Sequence, residues 1–149
     1  MRAVTRGVAL CLLMLPLAAG AFGKKKQAEP SASGCIENLS VSGGWSTGKS
    51  FLASVDHEGV PYPVAFRKTV AAVEADGLIN INANERTGYI AAENPVKGGG
   101  GSTVPLRAMV MRQPDSSIRV EVRFSIKGGQ MTTNKAVGTS LCAIAEAAS

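Results

Sequence analysis

The apolar and polar positions of this chain change period several times, and each change marks an element. Across residues 63–77, Phe66, Val70 and Val73 recur at i, i+4 and i+7, with Arg67, Lys68 and Glu74 on the other side. Ala65, Ala71, Ala72 and Ala75 favour helix and let the stripe approach a sheet closely. Pro63 and Gly77 punctuate the two ends, so the spacing predicts a helix. The period then drops to two. Ile79, Ile81 and Ala83 alternate with Asn80 and Asn82, predicting a half-buried strand. Residues 84–88 read as a turn, and residues 89–93 as the returning strand, stopped by Asn94 and Pro95.

The clearest alternation runs from Ile118 to Lys127. Ile118, Val120, Val122, Phe124 and Ile126 point one way; Arg119, Glu121, Arg123, Ser125 and Lys127 point the other. That is the pattern of an antiparallel sheet covered on a single face. Residues 104–112 form its hairpin partner around residues 113–116, with Leu106, Ala108 and Val110 inward and Met109 and Met111 on the open face beside Arg107. A second helix is expected over residues 134–147, where Val137, Leu141 and Ile144 repeat the stripe and Cys142 sits at its margin. Upstream, residues 36–41 and 50–55 are candidate strands around a GGWSTGK loop, and residues 56–59 read as a turn. Residues 97–102 contain four consecutive glycines, expected to be a flexible hairpin tip. The expected fold is α+β: an antiparallel sheet of four to six strands with two helices packed on one face.

Composition changes this picture mainly at the N-terminus. Arg2 and Arg6 precede an apolar run at residues 8–17, and Ala19-Gly20-Ala21 offers small residues for cleavage before Phe22. Residues 1–21 therefore read as a secretory signal peptide, an uncleaved anchor or buried helix being the alternative. The run is shorter than the roughly 20 residues a spanning helix needs. Residues 22–34 are polar and small, expected to be a disordered tail, which leaves residues 35–149 as one domain. Arg2, Arg6 and Lys24, Lys25 and Lys26 account for five of the 16 basic residues, and Glu29 for one of the 11 acidic ones. The domain is thus close to neutral and has no electrostatic footprint for nucleic acid. No segment after the signal is long or apolar enough to cross a membrane as a helix.

Cys11 leaves with the signal, so Cys35 and Cys142 remain, one near each end of the domain. In an oxidising compartment they would form a disulfide. Two free buried thiols, or lipidation of Cys35 after Ala32-Ser33-Gly34, are the alternatives. The run from Gly43 through Gly48-Lys49-Ser50 fits the phosphate-loop pattern letter for letter. A true phosphate loop needs a buried strand before it and a helix after it, and here the flanks supply neither, so the match reads as fortuitous. His57, between Asp56 and Glu58, is the single histidine; a solvated turn outweighs a triad or metal role. Trp45 and Tyr62 are an aromatic pair for core packing or ligand contact, and Met109 and Met111 are scattered surface residues or part of a contact patch. No catalytic, cofactor-binding or metal-ligating residue is assigned.

The central stretch resembles the helix-grip-type domains of small bacterial outer-membrane lipoproteins, including the C component of the β-barrel assembly machine. Phe66, Val70, Val73, Gly77, Ile79, Arg86, Gly88 and Ile90 carry the likeness to that family's helix, strand, and Asp-Arg-x-x-Gly-like turn opening the next strand. Asn84-Glu85 stands where that family usually has an acidic residue before the arginine. The resemblance implies a non-catalytic scaffold or partner-binding role in the envelope. The expectation is a small exported accessory or protein-interaction domain, periplasmic and peripheral to the outer membrane, with another envelope protein as partner. The alternative is a binder of a small apolar ligand in the groove between helix and sheet.

Overall fold

A computed structural model describes residues 32–96 and 100–149 of the chain. The expected signal peptide, residues 22–31 of the expected tail and residues 97–99 of the glycine tip lie outside the described residues. The elements run α1 (Ala32–Glu37), β1 (Ser40–Gly44), β2 (Gly48–His57), α2 (Tyr62–Ala75), β3 (Ile79–Asn84), β4 (Tyr89–Pro95), β5 (Thr103–Arg112), β6 (Ile118–Ile126) and α3 (Asn134–Glu146). The fold is α+β. All six strands pair antiparallel in the order β1-β2-β6-β5-β4-β3.

The pairing follows from the alternation along β6. Phe124, Val122, Val120 and Ile118 face Phe51, Ala53, Val55 and His57 of β2, and Leu106, Ala108 and Val110 continue the same rows into β5. Most of these side chains are buried, and α2 and α3 cover them from one side. α3 lies over β2 and β6, while α2 lies over β5 and the β3 edge. A hydrogen bond from Ser140 Oγ to Asp76 Oδ2 (2.6 Å) ties the end of α2 to the middle of α3. Burying an aromatic such as Phe51 in this layer contributes about 1.5–3 kcal/mol by transfer alone.

Several sequence expectations are corrected. Residues 36–41 are not one strand. Ile36 belongs to α1, which also takes in Ala32, Ser33 and Gly34 of the expected tail, and β1 begins only at Ser40. The cause is tertiary: Cys35 is disulfide-bonded to Cys142 of α3 (Cα–Cα 5.7 Å), and Leu39 packs on Gly138, where an added Cβ would come within 2.9 Å of it. β2 runs on through Asp56 and His57, so the turn begins at Glu58. On α2 the buried stripe is Tyr62, Phe66, Thr69 and Val73, with Val70 only half-buried. Thr69 is tolerated there because its hydroxyl donates to Ala65 O (2.8 Å).

β3 differs most. The buried residue after Gly77 is Leu78, while Ile79 is 43% exposed and Asn80 takes φ 51°, a bulge that breaks the register to β4. β3 is the sheet edge, which explains why its alternation does not translate into burial. Asn94 and Pro95 do not stop β4; they pair with Val104 and Thr103 of β5. Pro105 sits outward, opposite Glu93 of β4.

Candidate interaction surfaces

The residues singled out by sequence fall at four separate places. Trp45 forms the tip of the β1–β2 hairpin and is 70% exposed, whereas Tyr62 is buried at the start of α2, beyond the opposite end of β2. They are not a pair. The Tyr62 hydroxyl donates to Glu85 O (2.5 Å) in the β3–β4 turn, and the Arg112 guanidinium sits 3.7 Å from the centre of its ring. Burial raises the Tyr62 pKa, and the nearby Arg112 charge partly opposes that rise. Its contacts lock α2 to the turn, a structural role for Tyr62.

Gly43 to Ser50 is the β1–β2 hairpin itself. Lys49 and Ser50 continue as strand, so no helix follows the turn as a phosphate loop requires. The glycines have another cause. Gly48 sits at φ 91°, and a Cβ there would run into the Ile126 carbonyl of the neighbouring strand.

His57 is buried, and its Nε2 lies 2.8 Å from Ala145 O. A carbonyl accepts, so Nε2 carries the proton. Ala145 stands in the last turn of α3, where carbonyls lack an intrahelical partner. The histidine therefore caps a helix from the sheet. Lys68 Nζ donates to the Ser149 carbonyl just beyond the same helix. No group of three or more metal-ligating side chains occurs among the described residues. Replacing His57 by alanine should cost about 1–3 kcal/mol, because the carbonyl loses its donor in a buried place. Urea denaturation reads this, and glutamine, which retains an N–H donor, should recover part of it.

The helix-free face of the sheet carries the remaining residues. Arg107 and Arg123 are direct cross-strand partners, with Ala91 beyond Arg107 and Leu52 beyond Arg123. One row along, Glu121 faces Met109, which faces Tyr89; the next row sets Asp56, Arg119 and Met111 side by side. Both methionines are half-buried. Arg119 grips Asp56 through two hydrogen bonds, Nε to Oδ1 at 2.7 Å and Nη2 to Oδ2 at 2.8 Å, the one ion pair among the described residues. Those bonds hold the Asp56 carboxyl below its usual range. Its contribution is present above the ordinary carboxylate pKa and fades as pH falls through the lowered folded value. Asp56→Asn should therefore flatten the acid limb of a thermal-stability profile below the ordinary carboxylate pKa, by a small amount because the pair is exposed.

Between α3 and the sheet lies a cavity of about 180 Å³ bounded by Leu106, Phe124, Val137 and Leu141, with Asn94 and Ser140 on its rim. Its walls are mainly apolar, and its size suits a fragment rather than a drug-sized ligand. No protein-family model matches this chain, and no curated protein is similar to it.

Proposed function

We propose that this is a small exported, non-catalytic accessory domain of the cell envelope that binds another envelope protein through the helix-free face of its sheet. The observation that carries the reading is the Arg107–Arg123 pair. Like charges directly opposite on neighbouring strands repel, and among the described residues neither has an ion-pair partner. An acidic partner segment would relieve that repulsion, and the flanking Met109, Met111 and Tyr89 offer adaptable apolar contact. His57 and Tyr62, the buried groups best suited to chemistry, are both engaged in holding backbone carbonyls. The weak likeness of the central stretch to envelope lipoprotein domains points the same way, as does a disulfide, which favours an oxidising compartment.

The test is a photo-crosslinker placed at Met109, compared with the same probe in an Arg107→Glu, Arg123→Glu background. A single crosslinked envelope protein that disappears in the charge-reversed background is the expected result. Turnover of a substrate by the purified protein, abolished in Asp56→Asn or His57→Ala variants that still fold, would overturn it. The cavity beside Leu106 favours a second reading, a small apolar ligand carried beneath α3. Native mass spectrometry of protein from its own envelope should then show bound mass that Leu141→Phe removes.

A further inference from the structure

Two loops meet at one end of the sheet. The β1–β2 turn and the loop between β6 and α3 are joined by a hydrogen bond from Gly129 N to Trp45 O (2.9 Å). Gly128 lies so close to Ser46 that a Cβ would strike its carbonyl, and Gln130 Oε1 accepts from Lys127 N (2.8 Å). The two backbones are thus mutually fixed. From this fixed base two large apolar side chains project outward: Trp45 is 70% exposed and Met131 is 90% exposed. The other exposed large hydrophobics among the described residues, Val41 and Ile79, reach only 38% and 43%.

The two segments that build the tip carry charge of one sign. Trp45 and Met131 border the same shallow depression as Lys49 and Lys127, and Lys135 follows in the first turn of α3. No acidic residue occurs between Asn38 and Val55 or between Val122 and Ala145. Every carboxylate is therefore kept off both segments that build the tip. An indole and a thioether ringed by lysines match a bilayer surface chemically. Trp prefers the headgroup level, and lysines gain from anionic lipids. Two apolar side chains are too few for the core of a stable protein interface, which requires some 20–30 residues on each side. They suffice for shallow insertion assisted by charge.

We propose that the Trp45–Met131 tip docks the protein on anionic phospholipid membranes, with Trp45 and Met131 entering the headgroup region and Lys49 and Lys127 contacting lipid phosphates. This surface is distinct from the helix-free sheet face, so either reading stands if the other fails.

Trp45 is the sole tryptophan in the chain, which makes its emission a direct readout of the tip. The disulfide-bonded protein is titrated with phosphatidylcholine vesicles containing about a third phosphatidylglycerol, and with pure phosphatidylcholine vesicles. The expected result is a blue shift and protection from aqueous quencher on the anionic vesicles only. Because emission reports the tip alone, a contribution of Lys24, Lys25 and Lys26 to overall binding does not confuse it. The Lys49→Gln, Lys127→Gln variant should partition about 25-fold more weakly at low salt, from roughly fivefold per lysine. Trp45→Ala, Met131→Ser should float with vesicles at low salt but release as salt screens the remaining charge. Both pairs are at exposed or half-buried positions, and an unchanged melting temperature confirms that each variant folds. No emission shift on anionic vesicles overturns the proposal, as does an equal shift on both vesicle types. A shift that grows with protein concentration and needs no lipid would assign the tip to contact between copies, and overturns it too.

Discussion

Replacing Cys35 and Cys142 together by alanine should lower the stability of this domain by about 4–5 kcal/mol. The bridge spans a sequence separation of 107 residues. In the chain-entropy account, closing a loop of about 100 residues removes close to 4.7 kcal/mol of unfolded-state freedom. Single domains hold only about 5–15 kcal/mol in total, so the loss would be a large share. At about 4 °C per kcal/mol, the melting temperature should fall by about 15–20 °C, and a reducing agent should do the same to the native chain. Cys142 is fully buried on α3, while α1 is a short helix of six residues that this bond ties to it. Loss of the bridge should therefore free α1 first, seen as rapid proteolytic cleavage before Ser40 at temperatures where the sheet is intact. A melting shift of only two or three degrees would mean that the bridge decorates a core stable without it.

How much of this was readable in advance depends on how local the causes are. β5, β6, α2 and α3 were legible because each repeats its period long enough to outvote single residues. Val120, Val122 and Phe124 pack on one face, and Val137, Leu141 and Ile144 on one helix stripe, for reasons internal to each segment. α1 was not legible, since ASGCIE has no period and its helical turn depends on a sulfur bond to a residue 107 positions away. β3 misled because alternation specifies two faces without saying whether the strand is central or at an edge; at the edge, Ile79 gains little burial. His57 looked like part of a solvated turn because its partner, the Ala145 carbonyl, is 88 residues distant.

The two aromatics show both limits. One local signal separates an exposed Trp45 from a buried Tyr62. Tyr62 stands four residues before Phe66 and so extends the α2 stripe by a turn, whereas Trp45 lies among glycines and small polar residues with no stripe to join. The stripe decides which aromatic the core can use, and the unclaimed one becomes available to a surface.

Gly88→Ala is expected to cost about 2–5 kcal/mol although it lies outside the apolar core. Gly88 holds φ 72°, where an L-residue pays about 1–2 kcal/mol. A Cβ there would also collide with the Val110 carbonyl and come within 3.0 Å of the Tyr62 hydroxyl. Neither neighbour can yield cheaply. Val110 is in the middle of the sheet and its N–H donates to Gly88 O (2.8 Å), so moving one backbone strains the other. Tyr62 is held by its bond to Glu85 O and by the Arg112 guanidinium over its ring. Relief of the clash should therefore displace the tyrosine, and with it the first turn of α2; overpacking of this kind adds about 1–3 kcal/mol. Urea denaturation of Gly88→Ala, of Tyr62→Phe and of the double variant separates the terms. If the methyl acts through the tyrosine hydroxyl, the two costs should be less than additive, because Tyr62→Phe removes the atom being struck. Strict additivity would place the whole penalty in the backbone angle and the Val110 carbonyl. A loss below about 1 kcal/mol would show that the turn can flatten, and that Gly88 is not what fixes the β3–β4 connection against α2.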